Sequence, residues 1–395
     1  MIKIALRRNL IYPFLLLVWK VVRDAESYLI LRLFDFHNSL IYTPIMFLGE
    51  FFAGLILFKY QKKFAPKRNE NKNKIPFPIQ CAKKNLNLNP LDGKTKIHFL
   101  IFAAAFSDFT QFMIRNRIIS KFMKISSTLQ NRLGANITFI GALFYVYAFK
   151  IKIYKHHIFT FIVISTCLIL VIIFEYVFQE INIFLSYTEF TIVLLIILVN
   201  NLFENLLDTL EKYLFEYDFC EPLKVLMFEG IYGFLLSFVL LYFPEFTTDL
   251  IRIYNDNSVG YFILFIFLIV VYFILCGGKN AYRVITTKLY SPMTRVFTDY
   301  FFNPFYLIYY FVVDNDFKTD SGIKTGFYFG INLIISIANS FVGLVFNEFL
   351  VLFFCGLERD THDQVSRRAE IKYEITLNEK YDDNEDDDSD YKIYL

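Results

Sequence analysis

The residues whose types and spacing could do chemistry are charges set inside long apolar runs. Glu50 stands in the middle of one run, Asp108 and Arg115 in a second, and Arg132 towards the end of a third. A charge at the centre of a bilayer costs roughly 3 kcal/mol or more when it faces lipid. Each of these must therefore face protein, water or a solute path. Asp108 and Arg115 are seven places apart and share a helix face, which suits a structural pair or a charge ladder lining a cavity. Arg132 has the planar guanidinium that matches phosphate, although an arginine near a span end also snorkels to the interface. Asn201 and Asn205 lie one helical turn apart, and such amides glue helices together or bind a solute. Arg295 and Asp299 have the same spacing, so an intrahelical pair is the default. Glu229 is followed by Gly230 and Gly233, a gate or a helix-packing element in which glycine admits a close neighbour. Pro222, just upstream, fits the first turn of a helix, where its missing N–H costs nothing.

Enzyme chemistry finds no such support. The chain has no HExxH, GxSxG or phosphate-cradling glycine loop opening a helix. His156 and His157 sit together at a helix entrance beside Lys155, an interfacial position. The five cysteines are scattered, and none forms a CxxC. Neither a cofactor nor a metal is expected, and the protein reads as a non-enzyme. The 49 Phe and 27 Tyr invite a base-stacking story, but tyrosines near span ends belong to the interfacial belt. The expected partners are the lipid bilayer and a small-molecule solute, with no nucleic acid. A homodimer or a larger membrane complex is compatible with the sequence.

The elements that must position these charges are membrane helices. Of 395 residues, 56% are hydrophobic and the net charge is +2; mean hydropathy is +0.43. Ten spans follow, each long enough to cross about 30 Å of hydrocarbon at about 1.5 Å per residue. They cover 9–31, 36–59, 97–120, 127–149, 157–178, 187–210, 222–243, 258–278, 292–313 and 326–350. Continuous apolar runs exclude the ten-residue alternation of a β-barrel. The start, with Arg7 and Arg8 ahead of an apolar stretch, looks like a signal peptide. No small-residue cleavage site follows, so it reads as a retained first helix.

The basic residues set the orientation. The loop from Gln61 to Lys96 holds ten Lys/Arg against two acids. The stretches around Lys150 and around Lys279, Arg283 and Lys288 are basic too, and read as loops on the same side. Both termini are therefore expected in the cytosol. Arg115, Arg117, Lys121 and Lys124 fall on the opposite side and disagree. The polar break from Glu211 into the seventh span is expected to be a cytosolic turn. The tail at 357–395 is acidic and reads as disordered.

Spans one to five (1–180) and six to ten (181–356) have matching lengths. An odd number of spans per half turns the second half upside down, the inverted-repeat layout of many secondary transporters. No clear identity between the halves supports this; it rests on hydropathy.

Five segments in order resemble one family. They are MFLGEFF (Met46–Phe52), SSTLQNRLGANITFIGALFYVYAFKIKI, LDTLEKYLFEYDFCEPLKVLMFEGIYGF, SPMTRVFTDYF and FVGLVFNEFLVLFFCGLERDT. They resemble, in turn, the second helix, the fourth, the crossing from six to seven, the ninth and the end of the tenth in the drug/metabolite transporter superfamily. Within it, the closest pattern is that of the EamA-like solute carrier 35 family, F branch. The resemblance implies ten helices, cytosolic termini, endomembrane residence (Golgi, lysosome or vacuole type), a central solute path and alternating access. Three features depart from it. The first helix carries four charges, helix three carries Arg115 and Arg117, and Arg132 stands one place early.

The expectation is a secondary transporter of a small polar metabolite, with Glu50, Asp108, Arg115, Arg132, Asn201 and Arg295 along the path. A phosphate-bearing solute is the secondary expectation. The rival is a non-transporting family member kept as a membrane scaffold or complex subunit.

Overall fold

The computed structural model describes residues 2–4, 11–34, 39–64, 93–115, 118, 133, 143–150, 153–177, 187–243, 245–256, 258–290, 292–309, 322–353, 355–361, 364 and 367–368. The stretches of the first three expected spans are helical, as α1 (Ile11–Phe34), α2 (Ser39–Phe64) and α3 (Gly93–Met113). Of the fourth span, α4 (Leu143–Ala148) is described. Spans five to seven are α5 (Lys155–Val177), α6 (Tyr187–Glu216) and α7 (Pro222–Ser237); a 3-10 turn, Phe238–Tyr242, extends the last. A further helix, α8 (Glu245–Asp256), precedes α9 (Val259–Leu289), α10 (Pro292–Tyr309) and α11 (Gly322–Phe346). Pro222 and Pro292 each open their helix, as their fixed φ favours.

This is an all-α, multi-pass integral membrane protein. Among the described residues, six helices are long and apolar enough to cross a membrane: Leu40–Gln61, Lys155–Phe174, Thr188–Glu216, Pro222–Tyr242, Val259–Leu289 and Gly326–Phe346. Their outward faces are the apolar ones. On α9, Ile263, Phe267, Val270 and Ile274 are exposed, while Phe265, Leu268, Tyr272 and Cys276 are buried. A helix with this pattern presents hydrocarbon to lipid and keeps its polar groups for its neighbours.

Three expectations need correction. α6 continues to Glu216, so the polar break is shorter than read, and Glu211 is a fully buried helical residue. α9 continues to Leu289, so Lys279 and Arg283 are not in a loop, and Arg283 is buried. Hydropathy falls where these charges begin, but the helix persists because its backbone bonds need no apolar side chain and its charges find partners. The third correction is α8, a helix where a loop was expected. Beyond α11, Leu350–Leu352 forms a strand that pairs antiparallel with Ile2–Ile4, Ile2 opposite Leu352. Arg132, Arg117, most of the 61–96 loop and the acidic stretch of the tail lie outside the described residues.

α2 is the centre of the packing. It lies between α7 and α9, while α1 covers α9 and α3 lies against α6 and α7; α11 packs on α5 and α10. Small residues let these backbones approach. A Cβ on Gly49 would stand 2.5 Å from the Phe273 carbonyl oxygen, and one on Gly277 would stand 2.6 Å from that of Gly49. A Cβ on Gly54 would stand 2.8 Å from the Met227 nitrogen. On the other side, Gly230 faces the Phe47–Phe51 backbone and Gly233 faces the Phe47 ring. Gly230 and Gly233, expected at a gate or a helix contact, thus lie against α2.

Candidate functional site

Where α2, α3, α6, α7 and α9 meet, polar side chains replace the apolar filling. α2 supplies Glu50, which is fully buried and accepts a hydrogen bond from Asn280 Nδ2 of α9. One turn further along α9, Arg283 is also buried. Its Nη2 lies 2.9 Å from Glu211 Oε1 of α6 and 3.4 Å from Glu229 Oε2 of α7. Asp108 of α3 and Lys279 of α9 border this group and act electrostatically on it. Both are half-buried. Neither makes an ion pair within 4.0 Å among the described residues.

A second ionic group follows on α6. Arg295 of α10 donates from Nε to Asp208 Oδ2 at 2.9 Å, and from Nη2 to Glu204 Oε1 at 2.6 Å. A guanidinium fork suits two carboxylates on successive turns of one helix. The spacing had offered Asp299 instead, whose side chain lies outside the described residues. On the same helix, Lys212 donates to the carbonyls of Thr287, Lys288 and Tyr290 at 3.1, 3.0 and 3.3 Å. It thereby caps the carbonyl end of α9, where a cation is favoured.

The expected path residues divide. Glu50 and Asp108, with Glu229 expected at a gate or a helix contact, come together around Arg283. Arg295 joins them through α6, whose Asp208 is near enough to interact with both Glu211 and Arg283. Asn201 is buried, and its backbone carbonyl accepts from Asn205 Nδ2 at 2.7 Å. That is an intrahelical use of the i,i+4 pair. Arg115, at the end of α3, is exposed. It acts electrostatically on Asp24 of α1, so it does not line up with Asp108 at the ionic centre. Asp24 itself is hydrogen-bonded by Arg23, its neighbour in sequence. Arg132 lies outside the described residues.

Sequence reading missed Arg283, Asn280, Glu211, Asp208 and Glu204. Two signals were available. Glu204, Asp208 and Glu211 have the spacing of one helix face, as do Cys276, Asn280, Arg283 and Thr287, all four buried. A polar stripe at helical spacing beyond an apolar run marks a helix that continues. The second signal is a short likeness between the halves. Met46-Phe47-Leu48-Gly49 and Met227-Phe228-Glu229-Gly230 share Met, Phe and Gly in register, and each carries its acid next to that glycine.

Chemically, the centre can hold charge in a place sheltered from water, between helices that touch through glycine. No protein-family model matches the chain, and no curated protein matches it either.

Proposed function

We propose that the protein is a secondary transporter of the drug/metabolite type, moving a small polar solute by alternating access. The observation that carries this is the order of helix packing. Take the ten expected spans and exchange each for the one five places away. The contact of α2 with α7 (spans two and seven) maps onto itself, as does that of α5 with α11 (five and ten). The contact of α1 with α9 maps onto that of α6 with α3, and the contact of α2 with α9 onto that of α7 with α3. Two inverted five-span repeats would produce this pattern. The ionic centre lies where α2, α3, α6, α7 and α9 meet, and four of these, spans two, three, seven and eight, exchange in pairs under that swap. Glu50 and Glu229 each adjoin one of the two glycines that align, Gly49 and Gly230, on opposite sides: Glu50 follows its glycine and Glu229 precedes its own.

The five-segment resemblance to the solute carrier 35 family supports the same reading. It also supports an endomembrane location and cytosolic termini. Half-buried Asp108 and Lys279 suit contact with a polar solute, which would exchange its own charges for theirs. Reconstitution into proteoliposomes tests the proposal. Uptake of at least one member of a broad panel of labelled metabolites, nucleotide sugars and other phosphate-bearing solutes included, is the expected result. No flux with demonstrably folded protein overturns it.

One observation favours the scaffold reading. Arg283 and Arg295 are both engaged by carboxylates, and Glu50 and Glu229 are buried. A scaffold would stay in this arrangement, whereas a transporter must open it. Cysteine pairs across α2 and α7 discriminate between the two, because cross-linking arrests a transporter and leaves a scaffold's assembly intact.

A further inference from the structure

The ionic centre has too many acids. Glu50, Glu211, Glu229 and Asp108 face Arg283 and Lys279, and next to them Glu204 and Asp208 face Arg295. With every group ionised, carboxylates would outnumber cations by two at the centre and by three with the neighbouring fork. Uncompensated charge is not tolerated in a buried, apolar surround.

A separate geometric fact says where compensation is needed. Glu211 Oε1 and Glu229 Oε2 lie 2.9 and 3.4 Å from the same Arg283 Nη2, so two carboxyls from different helices share one guanidinium nitrogen. Two carboxylates are acceptors only, so a hydrogen bond between them requires a proton on one. Glu211 is fully buried and Glu229 is 2% exposed. Among the described residues, no donor hydrogen-bonds either Glu211 oxygen or Glu229 Oε1. Arg283 brings one positive charge to the pair, so with both carboxyls ionised one negative charge is left unmatched there.

We propose that the Glu211–Glu229 pair is a proton-binding site. One carboxyl is protonated at neutral pH and donates to the other, whose remaining charge is matched by Arg283. The ligand is a proton and not a metal ion. The guanidinium already occupies the cation position, and no group of three or more His, Cys, Asp and Glu suited to a metal is found among the described residues. Loss of the proton would leave two carboxylates side by side on α6 and α7, with Glu50 Oε2, also without a donor, close by on α2. Their repulsion would act across the α2–α7 crossing. The use of the proton for coupling rests on the transporter reading; its presence does not.

The test is infrared spectroscopy of the full-length protein in lipid nanodiscs, without solute, at about pH 7. Other buried carboxyls with an oxygen lacking a donor, Glu26, Glu50 and Asp208, could give a band of their own. Glu26, with neither oxygen bonded among the described residues, is removed by Glu26→Gln as the background, and the changes at Glu211 and Glu229 assign what remains. A protonated-carboxyl C=O band that moves to lower frequency in D2O is expected, and Glu211→Gln and Glu229→Gln should each abolish or shift it. Should these not fold, Glu211→Asp and Glu229→Asp should move the band's frequency instead. Absence of the band, or a band untouched by changes at both positions, overturns the proposal. A protein with the band but no uptake of any solute keeps the proton site and loses the transporter reading. Uptake without the band does the reverse.

Discussion

Asn280 of α9 donates its amide to Glu50 of α2, tying together two helices that already touch through Gly277 and Gly49. Both side chains are buried. Such a bond contributes modestly in net terms, but leaving one partner alone costs about 1–3 kcal/mol. Asn280→Leu removes the donor and leaves the carboxyl without it. Its melting temperature should fall clearly below wild type. Glu50→Met added to Asn280→Leu should recover part of that loss, because an apolar pair leaves nothing unsatisfied. Thermal melts of both proteins and of Glu50→Met alone make the cycle. A double variant no more stable than Asn280→Leu would show that the two residues do not act as a pair.

The glycines at the crossings should be intolerant of even a methyl group. At Gly49 a Cβ would meet backbone, which cannot swing aside as a side chain can. Overpacking of this kind costs about 1–3 kcal/mol. Gly49→Ala and Gly230→Ala should lower the melting temperature by several degrees. Gly326 and Gly330 have nothing within 4 Å of a built Cβ. Gly330→Ala should be neutral or slightly stabilising, since alanine favours the helix by about 0.5–1 kcal/mol. Equal effects at Gly49 and Gly330 would contradict the close crossing of α2 and α9.

Much of the helical layout was legible in the apolar runs, because a backbone in lipid must satisfy its own hydrogen bonds and a run of sufficient length has to be helical. The ends of α6 and α9 were not legible. Hydropathy stops at Glu211 and Lys279, but both helices run on, and Glu211 of one meets Arg283 of the other. Arg283 shows why. As a lone residue it reads as a cytosolic anchor in a basic loop, and only the carboxyls of Glu211 and Glu229, from two other helices, make it a buried cation. Glu50 and Glu229 were legible as intramembrane acids. Their convergence was hidden, because it depends on which faces of α2 and α7 touch, and the glycines that decide this were read at one helix only.

Arg295 should not tolerate lysine. Its Nε and Nη2 reach Asp208 and Glu204 together. An ammonium is a single point that cannot reproduce a fork. Removing one partner of a fully buried ionic group costs about 3–5 kcal/mol, and the cost is smaller here, where Asp208 is buried but Arg295 and Glu204 are partly exposed. Arg295→Met should therefore be destabilising, with Arg295→Lys intermediate. Arg295→Met combined with Glu204→Gln and Asp208→Asn should regain stability. Melting curves at one salt concentration check the order. Lysine equal to arginine would mean that the fork does not hold α10 to α6.

Asp108 and Lys279 separate function from folding. Each is half-buried at the ionic centre and makes no ion pair among the described residues, so neither is fixed by a short contact the fold depends on. Neutral analogues of similar size, Asp108→Asn and Lys279→Met, should leave the melting temperature within a few degrees of wild type. A solute that passes the centre, however, must be recognised by the charges that border it. Loss of one charge-assisted hydrogen bond, about 1.5–3 kcal/mol, corresponds to roughly ten- to hundredfold weaker binding. Initial uptake rates at low solute concentration should fall by that factor in both variants. Glu216→Gln serves as the control, because Glu216 pairs with Lys212 at the end of α6, outside the centre, and its uptake should match wild type. Unchanged rates in Asp108→Asn and Lys279→Met would place the solute path away from Arg283 and leave the ionic centre a structural and proton-holding element alone.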